Sequence, residues 1–428
     1  MKAMHILSYL LFAVSLSYGQ ELYFPPTTDT GWETTALSDI GWCEDKLPAV
    51  NEFMTNSMSR ALIVLKDGKI VIEEYYNGHS RDSLWYWASA GKSLTAFEIG
   101  LLQSDAKLDI GDATSDYLGT GWTSCTTEQE LAISIRHQLS MSTGLDYSVA
   151  NIDCTDPSCL NFLGDPYSEW YYHNAPYTLL STVIEEASGQ SRNLFTFAGL
   201  GSTIGLVGAW LPIDDNIVFV SKATAMARFG LLMLAEGNWK DKTILTDTEY
   251  FSEMVSPSQE INESYGYLWW LNTGPTYRLP STTADFVGRL IPDAPEDIYM
   301  ALGKNGQILI VDPTSNTVIV RMGDDPDPSP VPTNYITELW DQVQSLACTT
   351  SSTTTSDTDV TIYPNPTTDL LQVTADYEIV SVEIVSTEGR LMYKDDRNTI
   401  DICTWPAGVY IVTVKTVGGQ HIERLLKL

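Results

Sequence analysis

The chain has 428 residues, 43% of them hydrophobic and 18% charged, which is the composition of a globular protein longer than one average domain. Its 24 basic residues face 55 acidic ones, for a net charge of −31. A surface that negative repels phosphate backbones and anionic lipid headgroups, so nucleic acid is excluded as a partner. The first twenty residues, MKAMHILSYLLFAVSLSYGQ, place a lysine before an apolar run from Ile6 to Leu16 and small residues at Ser17 and Gly19. This pattern predicts a signal peptide over 1–19 and a secreted protein. The apolar run is too short to span a bilayer and no later segment is long enough, so no membrane span is expected.

Chain order then gives two β-rich runs around Asp67-Gly68 (Ala61–Tyr76), a hairpin signal. After the stretch WASAGKS, the run KSLTAFEIGLLQ predicts a helix with a buried face. Further helices are expected in ISIRHQLSMS, YTLLSTVIEEASGQ and KATAMARFGLLMLAEG, the two longer ones ending near Gly189 and Gly237. Strands return in YGYLWWL (Tyr265–Leu271), QILIVD and NTVIVRM, and TNYITELWDQVQSLA is a closing helix. The fold class is therefore α+β: an antiparallel sheet built from both ends of residues 20–348, flanked by helices, with a mostly helical insertion and a cleft where the parts meet. The Ser/Thr-rich stretch 349–359 reads as a linker, and 360–428 alternates strands with Gly turns as a small β-sandwich would.

Six cysteines are present in a chain read as exported. Cys154 and Cys159 flank a four-residue loop and could close it; Cys43 and Cys348 could pair if the ends of the main domain meet. Their spacing suits no metal, no histidine cluster accompanies them, and no cofactor is implied. The acidic loop at 323–330 lacks the ligand order of a calcium loop and reads as solvated.

Two Ser-x-x-Lys pairs occur, Ser89/Lys92 and Ser104/Lys107. A serine needs a nearby base to act as a nucleophile, and helix residues three apart are neighbours. Only the first pair opens an apolar helix able to bury and neutralise its lysine. Downstream, Tyr172-His173-Asn174 precedes a helix and Lys304-Asn305-Gly306 opens a strand; the other Tyr-x-Asn, at Tyr75, lies at a strand end. His137 and His173 make no Ser-His-Asp case, since no Gly-x-Ser-x-Gly elbow exists. Trp85, Tyr86, Trp87, Trp269 and Trp270 are core or cleft-lining aromatics, Trp87 being the first choice for the cleft.

SAGK, YHN and KNG in this order resemble the three motifs of the class C β-lactamase-like serine hydrolases, the superfamily of penicillin-binding proteins, β-lactamase-fold esterases and 6-aminohexanoate-dimer hydrolases. The resemblance implies Ser89 as acylated nucleophile, Lys92 as its base and Tyr172 as a second proton-transfer group. It implies Asn174 orienting Lys92 and substrate, Lys304 supplying positive potential, and the N–H groups of Ser89 and Gln307, beside Gly306, forming an oxyanion hole. Asn305 stands where relatives usually carry a hydroxyl that holds a β-lactam carboxylate. An ester or amide bond in a small molecule or short peptide is thus the expected substrate. The alternatives are a D-amino-acid peptidase, a β-lactamase, or a silent peptidoglycan- or peptide-binding protein of the same fold. YPNPTTDLLQV, GRLMYK and GVYIVTVK in 360–428 resemble the type IX secretion sorting domain, which implies the type IX machinery as a partner.

Overall fold

A computed structural model describes residues 22–28, 30–326, 331–348, 360–375, 377–386, 390–417 and 419–428. The expected signal peptide (1–19) and linker (349–359), and part of the acidic loop, lie outside them. The chain divides into two compact units, Met1–Ala347 and Cys348–Leu428.

In the first unit, β1 (Ser59–Lys66) and β2 (Lys69–Tyr75) form the hairpin expected around Asp67-Gly68, whose φ angles are 49° and 83°. Both lie in the left-handed region that a two-residue hairpin turn requires. Gly68 is also sterically obligatory, because a Cβ there would sit 1.9 Å from the Tyr23 carbonyl oxygen. The central sheet runs β2, β1, Thr317–Gly323, Gln307–Asp312, Tyr299–Gly303, Trp270–Leu271, with antiparallel pairing throughout. Strands from the two ends of the unit thus lie side by side at its centre. Every residue of Gln307–Asp312 and Thr317–Gly323 is buried, so both faces are covered, and this explains why those strands read as continuous apolar runs. The helix Ala223–Leu234 approaches closely at Gly230, where a Cβ would meet Val318 at 2.5 Å and Leu309 at 2.6 Å. The helices α1 (Leu47–Asn56) and Thr333–Ser345 meet through stacked Phe53 and Tyr335 rings.

Between the two sets of strands lie the helices α2 (Gly91–Ser104) and Asn174–Ser188, the latter closed by Gly189 at φ 68°. They are joined by a second, three-stranded sheet absent from the sequence reading: β3 (Trp85–Tyr86), β4 (Gly208–Ile213) and β5 (Asn216–Ser221), ordered β3-β5-β4. Pro212 masked the β4–β5 hairpin, since proline argues against a strand; here β4 is an edge strand, where proline is tolerated. A second correction concerns YGYLWWL. Only Trp270–Leu271 is strand, Leu268 has φ 59°, and the Gly266 N–H donates to the Trp269 carbonyl in a tight turn. The run is apolar because it is wholly buried, not because it is extended.

The second unit consists of a three-stranded and a four-stranded antiparallel sheet. Ile362, Leu371, Val373 and Ile400 of one sheet and Val382, Ile384, Val412, Val414 and Leu425 of the other share one core, which makes it a β-sandwich. The Cys154–Cys159 disulfide is present, Cys43 and Cys348 are both disulfide-bonded, and Cys125 and Cys403 are free thiols.

Candidate active site

The chain passes from β3 into α2 through a 3₁₀ turn, Ala88–Ala90, that carries Ser89. Ala88 adopts φ 46°, a left-handed conformation that costs a residue with a Cβ about 1 kcal/mol. The turn is held from two sides. Fully buried Trp87 donates its backbone N–H to Phe219 O and its indole N–H to Ser221 Oγ, both at 2.8 Å. From the other side comes the end of the strand Tyr299–Gly303: a Cβ on Gly303 would lie 2.5 Å from Trp87 O and 3.1 Å from Ser89 N. Gly303 is thus required for the central sheet to reach the Ser89 backbone, a role not visible in the sequence. Helix α2 begins directly after the turn, so Ser89 stands at the positive end of its dipole.

Lys92, one turn on, donates from Nζ to Ser89 Oγ at 3.0 Å. The residue is 3% exposed, and burial lowers its pKa to about 7, with Asp153 pulling weakly the other way. Its Nζ lies 5.0 Å from the Tyr172 ring centroid and 4.2 Å from that of Tyr177. Those rings favour an ammonium by about 1–2 kcal/mol. A fall from 10.5 to about 7 corresponds to roughly 5 kcal/mol. Burial therefore wins, and near neutral pH a large share of Lys92 is a free amine.

Tyr172 is stacked on Trp270, edge-on to Tyr265, and its phenol lies beside the Ser89 hydroxyl. Burial pushes its pKa well above the usual tyrosine value, and the Ser89 hydroxyl only partly offsets this. Tyr172 is thus a neutral phenol, and the amine of Lys92 is the stronger base beside Ser89.

Asn174 is placed otherwise than the motif implies. Its Nδ2 donates to Asp153 Oδ1 at 2.7 Å and its Oδ1 is buried without a partner, so neither amide atom is bonded to Lys92. Asp153 adjoins the Cys154–Cys159 loop. Lys304 is exposed at the cleft, and Asn305, at φ 61°, donates from Nδ2 to Tyr86 Oη at 2.7 Å. Gln307 is fully buried; its side chain bonds Gly323 at both its carbonyl and its N–H, leaving only its backbone to serve the cleft. Beneath this turn lies Arg321, read from sequence only as a strand residue. Fully buried, it donates to the carbonyls of Asn305, Gly306, Ser57 and Asp324. Gly306 and Gly323 make room for it, since a Cβ on either would meet the guanidinium at 2.4–2.5 Å.

Ser89 sits where two hollows of about 320 and 370 Å³ meet; both are also lined by Asn174, Lys304 and Asn305. Tyr172 lines the first and Lys92 the second, together with Asp153, Asp214 and Asp215. Of the aromatics considered for the cleft, Tyr86 lines it, whereas Trp87, Trp269 and Trp270 are buried core. His137 is structural: its Nδ1 accepts from Ser134 N at 2.9 Å and burial lowers its pKa to about 4. His173 is buried with both ring nitrogens unpartnered.

With this geometry in view, residues 49–195 match the family model described as Beta-lactamase, a span that includes Ser89, Lys92, Tyr172 and Asn174 but ends before Lys304. Residues 361–427 match the secretion system C-terminal sorting domain. The chain carries a β-lactamase-family domain followed by a type IX sorting domain. That family is one of serine hydrolases, and the sorting domain marks the chain for export to the cell surface or beyond. Among the described residues no helix is long and apolar enough to cross a membrane.

Solved structures share the fold at low identity. A Bacillus anthracis protein named for 6-aminohexanoate-dimer hydrolases matches with TM-score 0.54 and 18% identity over 77% of this chain and 88% of its own. A penicillin-binding protein homolog from Caulobacter crescentus matches at 0.55 and 12% over 71% and 98%. A family VIII carboxylesterase matches at 0.53 and 12% over 72% and 99%.

Proposed function

We propose that the β-lactamase-family domain hydrolyses an ester or amide bond through an acyl-enzyme on Ser89. The observation that carries this reading is the 3.0 Å bond between Ser89 Oγ and the amine of Lys92, whose pKa burial brings to about 7. Free Lys92 takes the Ser89 proton as Oγ attacks the carbonyl carbon. The oxyanion that forms lies near the Ser89 N–H at the start of α2 and the Gln307 N–H, held against it by Gly303. The proton passes from Lys92 through the neutral phenol of Tyr172 to the leaving alcohol or amine. Water then attacks the acyl ester by the reverse relay and releases the acid.

A neutral substrate is favoured over a β-lactam or a peptide carboxylate. Asp153, Asp214, Asp215 and Asp325 line the hollows against the single exposed lysine, Lys304. The Asn305 amide, at the position where a carboxylate would be held, is already engaged by Tyr86. The test is turnover of p-nitrophenyl butyrate against a penicillin and a D-alanyl-D-alanine peptide. Ester turnover is expected to dominate and to fall at least ~10⁴-fold in Ser89→Ala. Unchanged turnover in that variant defeats the reading, and a preference for the anionic substrates defeats the substrate class.

A further inference from the structure

The sheet β3-β5-β4 has two unlike faces. Trp210 and Phe219 point into the core, where Phe219 packs edge-on to Trp87. The pairing register puts Tyr86, Val220 and Ala209 in one row and Leu211 beside Val218 in the next, all on the opposite face. That face is apolar and open to solvent: Leu211 is 43% and Ile213 41% exposed, and neighbouring Leu84 is 61% exposed. One end of it, at Val218 and Ile213, lines the hollow that holds Ser89, as does Tyr86 at its β3 edge. The other end, at Leu84, Ala209, Leu211 and Val220, lines a separate cavity of about 600 Å³ to which the reaction assigns no role.

We infer that this face is a track for the apolar chain of the substrate, an acyl or alkyl chain of medium length, leading from Ser89 to the outer cavity; the inference rests on the Ser89 reading above. Continuity decides the occupant: an apolar surface that begins at the nucleophile is covered by whatever the nucleophile is attacking. Dimensions agree. Three strands make a strip about 10 Å wide, narrow for a protein partner, which needs about 800 Å² per side. From Ile213 to Ala209 the strip runs roughly 13 Å, the length of an extended chain of about ten carbons. The acidic groups of the second hollow, Asp214 and Asp215, sit at the β4–β5 turn, past the Ile213 end of the track.

The experiment is a series of p-nitrophenyl esters from acetate to dodecanoate. kcat/KM is expected to rise about threefold per methylene from butyrate to near decanoate and then level. Leu211→Glu and Leu84→Glu should flatten that slope while leaving acetate turnover within about twofold. A flat or falling slope in the unaltered protein, or a slope that survives both substitutions, overturns the track and leaves the Ser89 chemistry standing if acetate is still turned over. Calorimetric titration of the Ser89→Ala protein with decan-1-ol separates the two claims. Binding that Leu211→Glu removes supports the track even if no ester is hydrolysed; absence of binding, or a dimer dissolved by Leu211→Glu, overturns it.

Discussion

Ser89/Lys92 and Ser104/Lys107 have the same spacing and lie at opposite ends of one helix, α2, yet they are chemically unlike. At the first end Lys92 is enclosed by the rings of Tyr172 and Tyr177 and loses its proton near neutrality. At the other, Lys107 is 40% exposed beside Asp105 at 3.8 Å, and Ser104 Oγ accepts the backbone N–H of Asp247. The difference teaches that spacing creates a neighbour while burial creates a base.

Breaking the first pair should have the largest effect. Lys92→Met is expected to lower kcat for p-nitrophenyl butyrate about 10²–10⁴-fold. It should also raise stability. Lys92 has a folded pKa below its unfolded value, so between about pH 7 and 10.5 the unfolded chain holds a proton the folded one does not, and stability falls as pH drops through that window. Removing the amine should add roughly 2–4 kcal/mol at pH 7 and nothing above pH 11, read from urea unfolding at both pH values. A destabilised variant at pH 7 would mean that Lys92 is held as a paired ammonium.

Gly303→Ala comes next. By driving the strand end away from Ser89 N it should cost about 10²-fold or more in kcat, comparable to loss of an oxyanion donor, with a smaller change in KM. Arg321→Met removes one donor from each of four carbonyls and should cost about 3–5 kcal/mol in unfolding free energy. Lys107→Ala sharpens the comparison from the opposite side: activity unchanged and stability within about 0.5 kcal/mol.

Much of this was legible in the sequence because it depends on local pattern. The Asp67-Gly68 turn, the apolar run of α2 and the buried strands Gln307–Asp312 and Thr317–Gly323 each follow from neighbouring residues, as does the order of SAGK, YHN and KNG. What escaped depends on distant packing. Arg321 looks like any strand arginine until its carbonyl partners, from three separate segments, are assembled. Gly303 is one glycine among many until the Ser89 turn lies against it. Asn174 finds Asp153, 21 residues earlier, because the chain folds back there, with the Ala175 N–H bonded to the Ile152 carbonyl, and no motif encodes the contact. The β4–β5 hairpin was hidden by Pro212, whose tolerance depends on being at a sheet edge.

The most direct measurement is the rate of fluorophosphonate labelling between pH 5 and 9, with the modified residue located by peptide mass spectrometry. The account predicts one adduct, on Ser89, forming at a rate that rises with a midpoint near pH 7 as Lys92 gives up its proton. An adduct on another residue, or a Ser89 rate that does not respond to pH across that range, would contradict it.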